Sequence, residues 1–194
     1  AGREGLVLGL EPNPYVFKVL KENAELNPEK TNIVPLNFAA TEEDGTFTFE
    51  YSDASFCNSG FLSKIEGGGE HKSQHKYKLD VAGKNLTRYL DEHYADRLPK
   101  LKLVKIDAEG YDKDIIRSLS ALLQKYRPTL ITECLPALND DERDELLASL
   151  TDNGYDAYRL NGFTALPTER LDQDGMRQRE HFDILAVPKG TSLS

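Results

Sequence analysis

Short apolar runs alternate with amphipathic segments along most of the chain. The first run, residues 6–10, is continuously apolar between Gly5 and Pro12, which is typical of a strand buried on both faces of a parallel sheet. Asn13 and Pro14 then provide a cap and a first-turn proline, and apolar residues recur at helical spacing after them. The pattern predicts a strand, a tight turn and a helix.

The same alternation continues through the rest of the chain. It predicts further strands at residues 32–38, 46–51, 101–106, 129–133, 155–160 and 181–187, and helices at 85–98, 111–126 and 140–151. Asp44-Gly45 is a turn signal, so a β-hairpin is predicted around it. Residues 52–78 offer almost nothing to bury, and a flexible surface insertion is therefore predicted at about 52–78.

Strands separated by helices predict an α/β fold with a doubly wound, mostly parallel, Rossmann-like sheet. The last two strands have no clear helix between them, which favours an antiparallel C-terminal edge. Residues 1–5 resemble the end of a helix with its glycine stop, so a segment upstream of them is expected to be missing. A single domain over residues 1–194, incomplete at its N-terminus, is the prediction.

Composition then excludes several classes of partner. Lys and Arg number 24 against 33 Asp and Glu, a net charge of −9, so the chain lacks the basic surface that nucleic-acid binding requires. No apolar run approaches the roughly 20 residues that cross a bilayer, and no signal peptide opens the chain, which predicts no membrane association. Cys57 and Cys134 lie far apart, so a reducing, cytoplasmic location is expected. The oligomeric state is left open.

Acidic residues directly follow three predicted strands. Glu11, Asp107 and Glu133 occupy these positions. Because ligands of open α/β sheets bind at the carboxyl ends of the strands, these carboxylates are expected to gather along one rim. A carboxylate such as that of Glu11 can accept both hydroxyls of a ribose. The alternative is that each acid caps the helix that follows it.

Two longer strings make the prediction more specific. Residues 10–17, Leu-Glu-Pro-Asn-Pro-Tyr-Val-Phe, with asparagines at positions 23 and 27, resemble the second motif of the FkbM-type methyltransferases. Residues 104–112, Val-Lys-Ile-Asp-Ala-Glu-Gly-Tyr-Asp, resemble the most characteristic string of that family. Arg127-Pro128 and the strand ending in Glu133 match the segment that follows, and the resemblance runs from about residue 5 to about residue 135.

This resemblance implies a class I methyltransferase fold, S-adenosylmethionine as methyl donor, and O-methylation of a sugar or small natural product. It implies that Glu11 holds the cofactor ribose, that Asp107 faces the methyl group and the acceptor, and that Glu133 lies on the substrate side. The resemblance also implies that Asn13 contacts the cofactor and that the adenine ring is lined by Asn37, Phe38, Ala39 and Ala40. Asn58 and Ser59 are assigned to the substrate side. The family's first strand and its glycine-rich loop would lie upstream of residue 1, so the first strand of the sheet is expected to be missing, and residues 67–74 look like an insertion.

A hydroxyl acceptor needs a base, and Asp107 or Glu109 is the candidate. Alternatively Asp107, Glu109 and Glu133 could hold Mg²⁺, although acids two residues apart are common at solvated helix starts, so no metal site is assigned. Lys105 shares a strand face with Asp107, where it either forms an ion pair with the carboxylates or contacts the substrate.

The histidines and the fold leave other interpretations open. His71 and His75 are four residues apart in a glycine- and lysine-rich stretch, which favours ordinary loop histidines over a metal site. His93 and His181 are assigned no role. Alternative functions are a nucleotide-binding oxidoreductase or sugar-nucleotide enzyme on a related fold, and a non-catalytic binding module.

Overall fold

A computed structural model describes residues 2–51, 59–60, 77–160, 162, 169–178 and 181–193. The described residues up to Asn85 form one compact unit, and those from Leu86 onwards form a second. The prediction of a single domain stays a prediction. Apart from residues 59–60 and 77–78, the insertion predicted at 52–78 lies outside the described residues, and so do Cys57, His71 and His75.

The first unit begins with a parallel strand–helix–strand segment, as the sequence predicts. Its elements are strand β1 (Val7–Leu10), helix α1 (Pro14–Glu25) and strand β2 (Ile33–Leu36), with β1 and β2 paired in parallel. The Asn13 side chain accepts the Tyr15 amide and so caps α1. The prediction that β1 is buried on both faces is wrong. Val7 is 43% exposed, because β2 is the one strand that pairs with β1 among the described residues.

A four-stranded sheet completes the first unit. Its strands are β3 (Ala39–Thr41), β4 (Gly45–Tyr51), β5 (Ser59–Gly60) and β6 (Tyr77–Asn85), in the order β3-β6-β4-β5. The hairpin predicted at Asp44-Gly45 is therefore wrong, since β6 lies between β3 and β4. The end of β6 holds the turn: the Asn85 amide donates to Asp44 Oδ1 (2.8 Å), and the Asn85 side chain donates to the Glu42 carbonyl (2.7 Å).

Gly83 of β6 leaves no room for a side chain. A Cβ at this position would lie 2.4 Å from the Phe47 ring and 2.7 Å from Thr41 Oγ1. Gly83→Ala should therefore lower the free energy of unfolding by about 1–3 kcal/mol, as overpacking does. The matched control is Gly45→Ala, whose new Cβ would lie 3.5 Å from the same ring. It should stay within about 0.5 kcal/mol of the wild type. Urea denaturation measures both, and equal values would contradict the packing argument.

The second unit is built on a mixed sheet with the strand order β7-β8-β10-β9. Its strands are β7 (Leu103–Lys105), β8 (Thr129–Cys134), β9 (Tyr155–Leu160) and β10 (Phe182–Pro188). Its helices are α2 (Leu86–Tyr94), α3 (Asp112–Ser118), α4 (Ser120–Tyr126), α5 (Asp140–Thr151), α6 (Gln173–Met176) and a short 3-10 helix (Leu98–Lys100).

Pairing in this sheet confirms parallel and antiparallel strands in one α/β unit. Strands β7 and β8 are parallel, whereas β10 is antiparallel to both β8 and β9. The antiparallel strand thus lies between two others, and β9 forms the edge. The helix predicted at residues 111–126 is divided at Leu119 into α3 and α4. The described helices are all too short or too polar to span a lipid bilayer.

A buried cation organises the loop after β8. Arg143 of α5 is fully buried, and among the described residues its guanidinium donates to neutral groups. The acceptors are the carbonyls of Leu135, Leu138, Met176 and Gln178 and the Cys134 sulfur, at 2.6–3.1 Å. These contacts join the end of β8 to the segment at residues 176–178. Cys134 is a buried free thiol, and burial raises its pKa to about 11.

Candidate functional site

Three carboxylates converge at the carboxyl ends of β7 and β8. Asp107, Glu109 and Glu133 each offer an oxygen within 4.8 Å of the others, and we call them the acid cluster. The parallel pairing of the strands explains this convergence: Lys105 lies opposite Ile131, so the residues that follow β7 lie beside the end of β8. The expectation that strand-tip acids gather is confirmed for Asp107 and Glu133.

The turn between β7 and α3 has an unusual backbone. Glu109 has φ of 50° and Gly110 has φ of 96°, and the left-handed region is costly for a residue with a side chain. Asp112 starts α3 directly after this turn and is 2% exposed. It accepts hydrogen bonds from the Thr132 hydroxyl (2.8 Å), the Gly110 amide (3.3 Å) and the Glu133 amide (3.5 Å).

Lys105 forms an ion pair with Asp107. The distance from Lys105 Nζ to Asp107 Oδ2 is 2.5 Å, and the two side chains are 49% and 53% exposed. Of the two roles left open for Lys105, the ion pair is therefore present in the structure. Because both groups remain in contact with water, the pair adds little to stability and mainly orients the Asp107 carboxylate.

His181 pairs with Glu133, although the sequence analysis assigned His181 no role. Its Nε2 contacts Glu133 Oε1, and the Glu133 side chain is only 15% exposed. The other carboxylate oxygen, Oε2, is buried without a hydrogen-bond donor among the described residues. The pairing of strands β8 and β10 explains this contact. Their antiparallel register places Phe182 opposite Cys134 and so brings His181 to the end of β8, which no short sequence motif indicates.

Burial and crowding change the acidity of the cluster. Burial, followed by the charges of Glu133, Asp107 and Asp112, raises the pKa of Glu109. Burial also raises the pKa of Glu133, an effect that the hydrogen bond with His181 opposes. A carboxylate with a raised pKa holds a proton more tightly, so Glu109 is a better general base than an ordinary glutamate.

The acid cluster has the donor set that a hard cation prefers, since three carboxylate oxygens could bind Mg²⁺. The pairing of Asp107 with Lys105 and of Glu133 with His181 argues against this use, because a cation would have to compete with both partners. Exposed acids such as Asp107 also cluster commonly without a metal.

A second candidate region follows β1 in the first unit. Glu11 Oε1 accepts the Asn13 amide (2.8 Å), and the Asn37 side chain donates to the carbonyls of Glu11 (2.8 Å) and Pro12 (3.2 Å). Asn13 is 1% exposed, and its Nδ2 has no acceptor among the described residues. Burial raises the pKa of Glu11, although the Asn13 amide partly offsets this effect.

The residues predicted to line adenine follow directly in the chain. Phe38 and Ala39 are buried, and Ala40 is half-buried. The structure therefore brings Glu11, Asn13 and Asn37 together by hydrogen bonds, with the other three adjacent to Asn37 in sequence. Glu11 and Asp107 belong to different compact units, so their predicted convergence stays a prediction.

The predicted substrate residues are only partly described. Asn58 lies outside the described residues, and Ser59 is described only in its backbone, as part of β5. Their assignment to the substrate side stays a prediction. Glu133 is the one member of that group whose side chain is described, and it belongs to the acid cluster.

Comparison with known proteins gives a consistent picture. A family model described as the methyltransferase FkbM domain matches residues 1–157. Hexuronic acid methyltransferase AglP of Haloferax volcanii is 26% identical over 128 residues, which cover 64% of this chain and 46% of that protein. Methyltransferase sdnD of Sordaria araneosa is 23% identical over 171 residues, which cover 79% of this chain and 65% of that protein. The chain thus spans less than two thirds of either relative, and no solved structure matches it.

Proposed function

Since the chain belongs to the methyltransferase FkbM domain family, we propose that it transfers a methyl group from S-adenosylmethionine to a hydroxyl of a sugar or small natural product. The observation that carries the proposal is the half-buried Glu109 within the acid cluster, which provides a base for a hydroxyl acceptor. We further propose the doubly wound class I methyltransferase fold. The parallel pairs β1–β2 and β7–β8 and the antiparallel β10 support it.

The Glu11 region is proposed to hold the cofactor. S-adenosylmethionine, when bound, supplies a methyl group activated by its sulfonium. The half-buried Glu11 carboxylate fits a ribose, because one oxygen is fixed by the Asn13 amide and the carboxylate can accept from the two sugar hydroxyls. The unsatisfied Asn13 Nδ2 is a further donor for a polar ligand. Asn37, Phe38, Ala39 and Ala40 are proposed to line the adenine.

Within the acid cluster, Glu109 is proposed to take the proton of the acceptor hydroxyl. Its environment favours this role over Asp107, which is more exposed and is held by Lys105. Asp107 would then orient the acceptor, beside Glu133, whose carboxylate is held by His181. A general base of this kind contributes about 10²- to 10⁴-fold to a rate.

The class of acceptor is proposed from two observations. One relative is named a hexuronic acid methyltransferase, which supports a sugar acceptor. The three carboxylates of the acid cluster would repel an acceptor whose reacting group is itself negatively charged. The name of the relative thus favours a sugar, and the charge of the acid cluster favours a neutral hydroxyl as the reacting group.

Calorimetry of the full-length protein tests this function, together with a transfer assay using labelled S-adenosylmethionine and hydroxylated sugars. We expect binding of S-adenosylmethionine and S-adenosylhomocysteine, and transfer to a hydroxyl. Binding of NAD instead would favour an oxidoreductase, and binding of none of these would favour a non-catalytic module.

We propose that the reaction needs no metal. Because Lys105 and His181 already pair with Asp107 and Glu133, treatment with EDTA should change the transfer rate by less than about twofold. The alternative, in which Asp107, Glu109 and Glu133 hold Mg²⁺, predicts that EDTA abolishes transfer and that added Mg²⁺ restores it. The assay is run with and without each additive, and restoration by Mg²⁺ would contradict the metal-free proposal.

A further inference from the structure

The turn that carries Glu109 is held in a conformation that its sequence does not favour. Glu109 has a left-handed backbone with φ of 50°, a region that side-chain-bearing residues rarely adopt. Gly110 follows with φ of 96°. Such a conformation persists only where the surrounding contacts fix it, and it is found preferentially at functional sites. The contacts that fix this turn therefore bear on where the Glu109 carboxylate points.

The Tyr111 amide donates to the Ala108 carbonyl (3.0 Å) across this turn, and Asp112 supplies the further contacts. Its Oδ2 accepts the Gly110 amide, directly after Glu109. Its Oδ1 accepts the Thr132 hydroxyl and the Glu133 amide, both at the end of β8. The two oxygens of one buried carboxylate thus join the turn after β7 to the strand end that carries Glu133.

These contacts differ from those of an ordinary helix cap. Asp112 is the first residue of α3, and Tyr111, which precedes it, makes no side-chain capping bond. The donors to Asp112 belong to the preceding turn and to β8 rather than to the free amides of α3. A capping role would not require the Thr132 contact, which has to be made within the protein interior.

The chemistry of the contacts requires a carboxylate. Donors meet both oxygens of Asp112, and an asparagine would direct its own NH₂ group at one of these sets of donors. A buried amide facing a buried donor leaves both unsatisfied. Glutamine or glutamate would be longer by one methylene in a position that is 2% exposed.

We propose that Asp112 is a positioning residue: by tying the Glu109–Gly110 turn to Thr132 and Glu133, it fixes the Glu109 carboxylate within the acid cluster without itself touching the acceptor. The inference rests on the proposed function, in which Glu109 removes the acceptor proton. Loss of the tie should displace the base, and a displacement of about 1 Å at a reacting group can cost on the order of 10²-fold in rate.

The test compares Asp112→Asn with Asp114→Asn in the full-length protein. Asp114 lies in the same first turn of α3 but is only partly buried, with Arg117 at 4.0 Å. Asp112→Asn should lower kcat by on the order of 10²-fold, with the KM for the acceptor and the Kd for S-adenosylmethionine within about twofold of the wild type. Asp114→Asn should leave all three unchanged. A kcat for Asp112→Asn equal to that of the control would overturn the proposal.

Variants at Thr132 keep the proposal testable if Asp112→Asn does not fold. Thr132→Val removes the hydroxyl that donates to Asp112 and should lower kcat, whereas Thr132→Ser keeps the hydroxyl and should restore it. Equal kcat values for the two variants would contradict the role of Asp112. So would a loss of kcat in Thr132→Val that merely follows the folded fraction measured by thermal denaturation.

Failure of the proposed function would be recognised separately. If the wild type transfers no methyl group, the assignment of Glu109 as base fails, but the tie can still be measured by amide hydrogen exchange. The Gly110 amide should then exchange faster in Asp112→Asn, or in Thr132→Val, than in the wild type. Unchanged exchange would overturn the contact itself.

Discussion

Glu109→Gln is expected to lower the rate of methyl transfer by about 10²- to 10⁴-fold and to leave the protein at least as stable as the wild type. The glutamine keeps the size of the side chain but cannot accept a proton from the acceptor. It also removes a negative charge near Asp107, Asp112 and Glu133; burial and then the repulsion by these charges raise the pKa of Glu109. A loss of rate without a loss of stability separates a chemical role from a structural one.

Glu109 should also make the stability and the transfer rate of the wild type depend on pH. Because the folded-state pKa of Glu109 lies above its ordinary value of 4.5, the folded protein binds more protons than the unfolded chain between the two values. The contribution of Glu109 to stability is therefore present below about pH 4.5 and is lost as the pH rises through the raised pKa. The transfer rate should rise through the same range. Glu109→Gln should remove this rise in rate and should reduce, without abolishing, the pH dependence of stability, because the pKa values of Glu133 and Glu11 are raised as well.

The control for Glu109→Gln is Glu22→Gln, on an exposed position of α1. It should leave the rate and the melting temperature unchanged.

Asp107→Ala should keep cofactor binding and lose turnover, because Asp107 is proposed to orient the acceptor. Single-turnover kinetics and thermal denaturation measure these effects. Wild-type rates in both Glu109→Gln and Asp107→Ala would show that the acid cluster is not the catalytic centre.

Glu11→Ala is expected to weaken binding of S-adenosylmethionine beyond detection. A carboxylate that accepts two ribose hydroxyls makes two charged hydrogen bonds, each of about 1.5–3 kcal/mol, so about 10²- to 10⁴-fold in affinity would be lost. Burial of Glu11 strengthens the expectation, since its bonds are shielded from water.

Calorimetry with S-adenosylmethionine and S-adenosylhomocysteine measures this loss, with Glu25→Ala at an exposed position of α1 as the matched control. The control should bind both ligands as the wild type does. Unchanged affinity in Glu11→Ala would remove the Glu11 region from the cofactor site while leaving the acid cluster untouched.

Local signals in the sequence predicted most of the elements. The cap at Asn13, the proline after it and the apolar spacing of α1 are all contained in neighbouring residues, and α5 spans the residues predicted for it. Strand β6 was missed, although Leu79 and Val81 alternate with polar residues as a strand requires. Its position between β3 and β4 depends on pairing with residues some 40 positions away, which no local pattern contains.

Some residues of the candidate site could likewise be predicted from local sequence, and others could not. Asp107 and Glu133 could be predicted because each directly follows a strand, and parallel neighbours end at the same edge. The role of Asp112 depends on Thr132, and that of His181 depends on the antiparallel register of β10, so neither follows from a short motif. The left-handed backbone of Glu109 is a tertiary effect, since glutamate has no local preference for it.

The Arg143 anchor also determines how this region responds to ionic strength. Its guanidinium is enclosed by carbonyls and a sulfur, away from dissolved ions, so concentrated salt should not weaken its hold on residues 176–178. The exposed pairs Lys105–Asp107 and Arg177–Asp144 lie in water and will be screened. In concentrated salt, residues 176–178 should therefore remain attached to the end of β8, whereas the ion pairs on the surface near them should weaken.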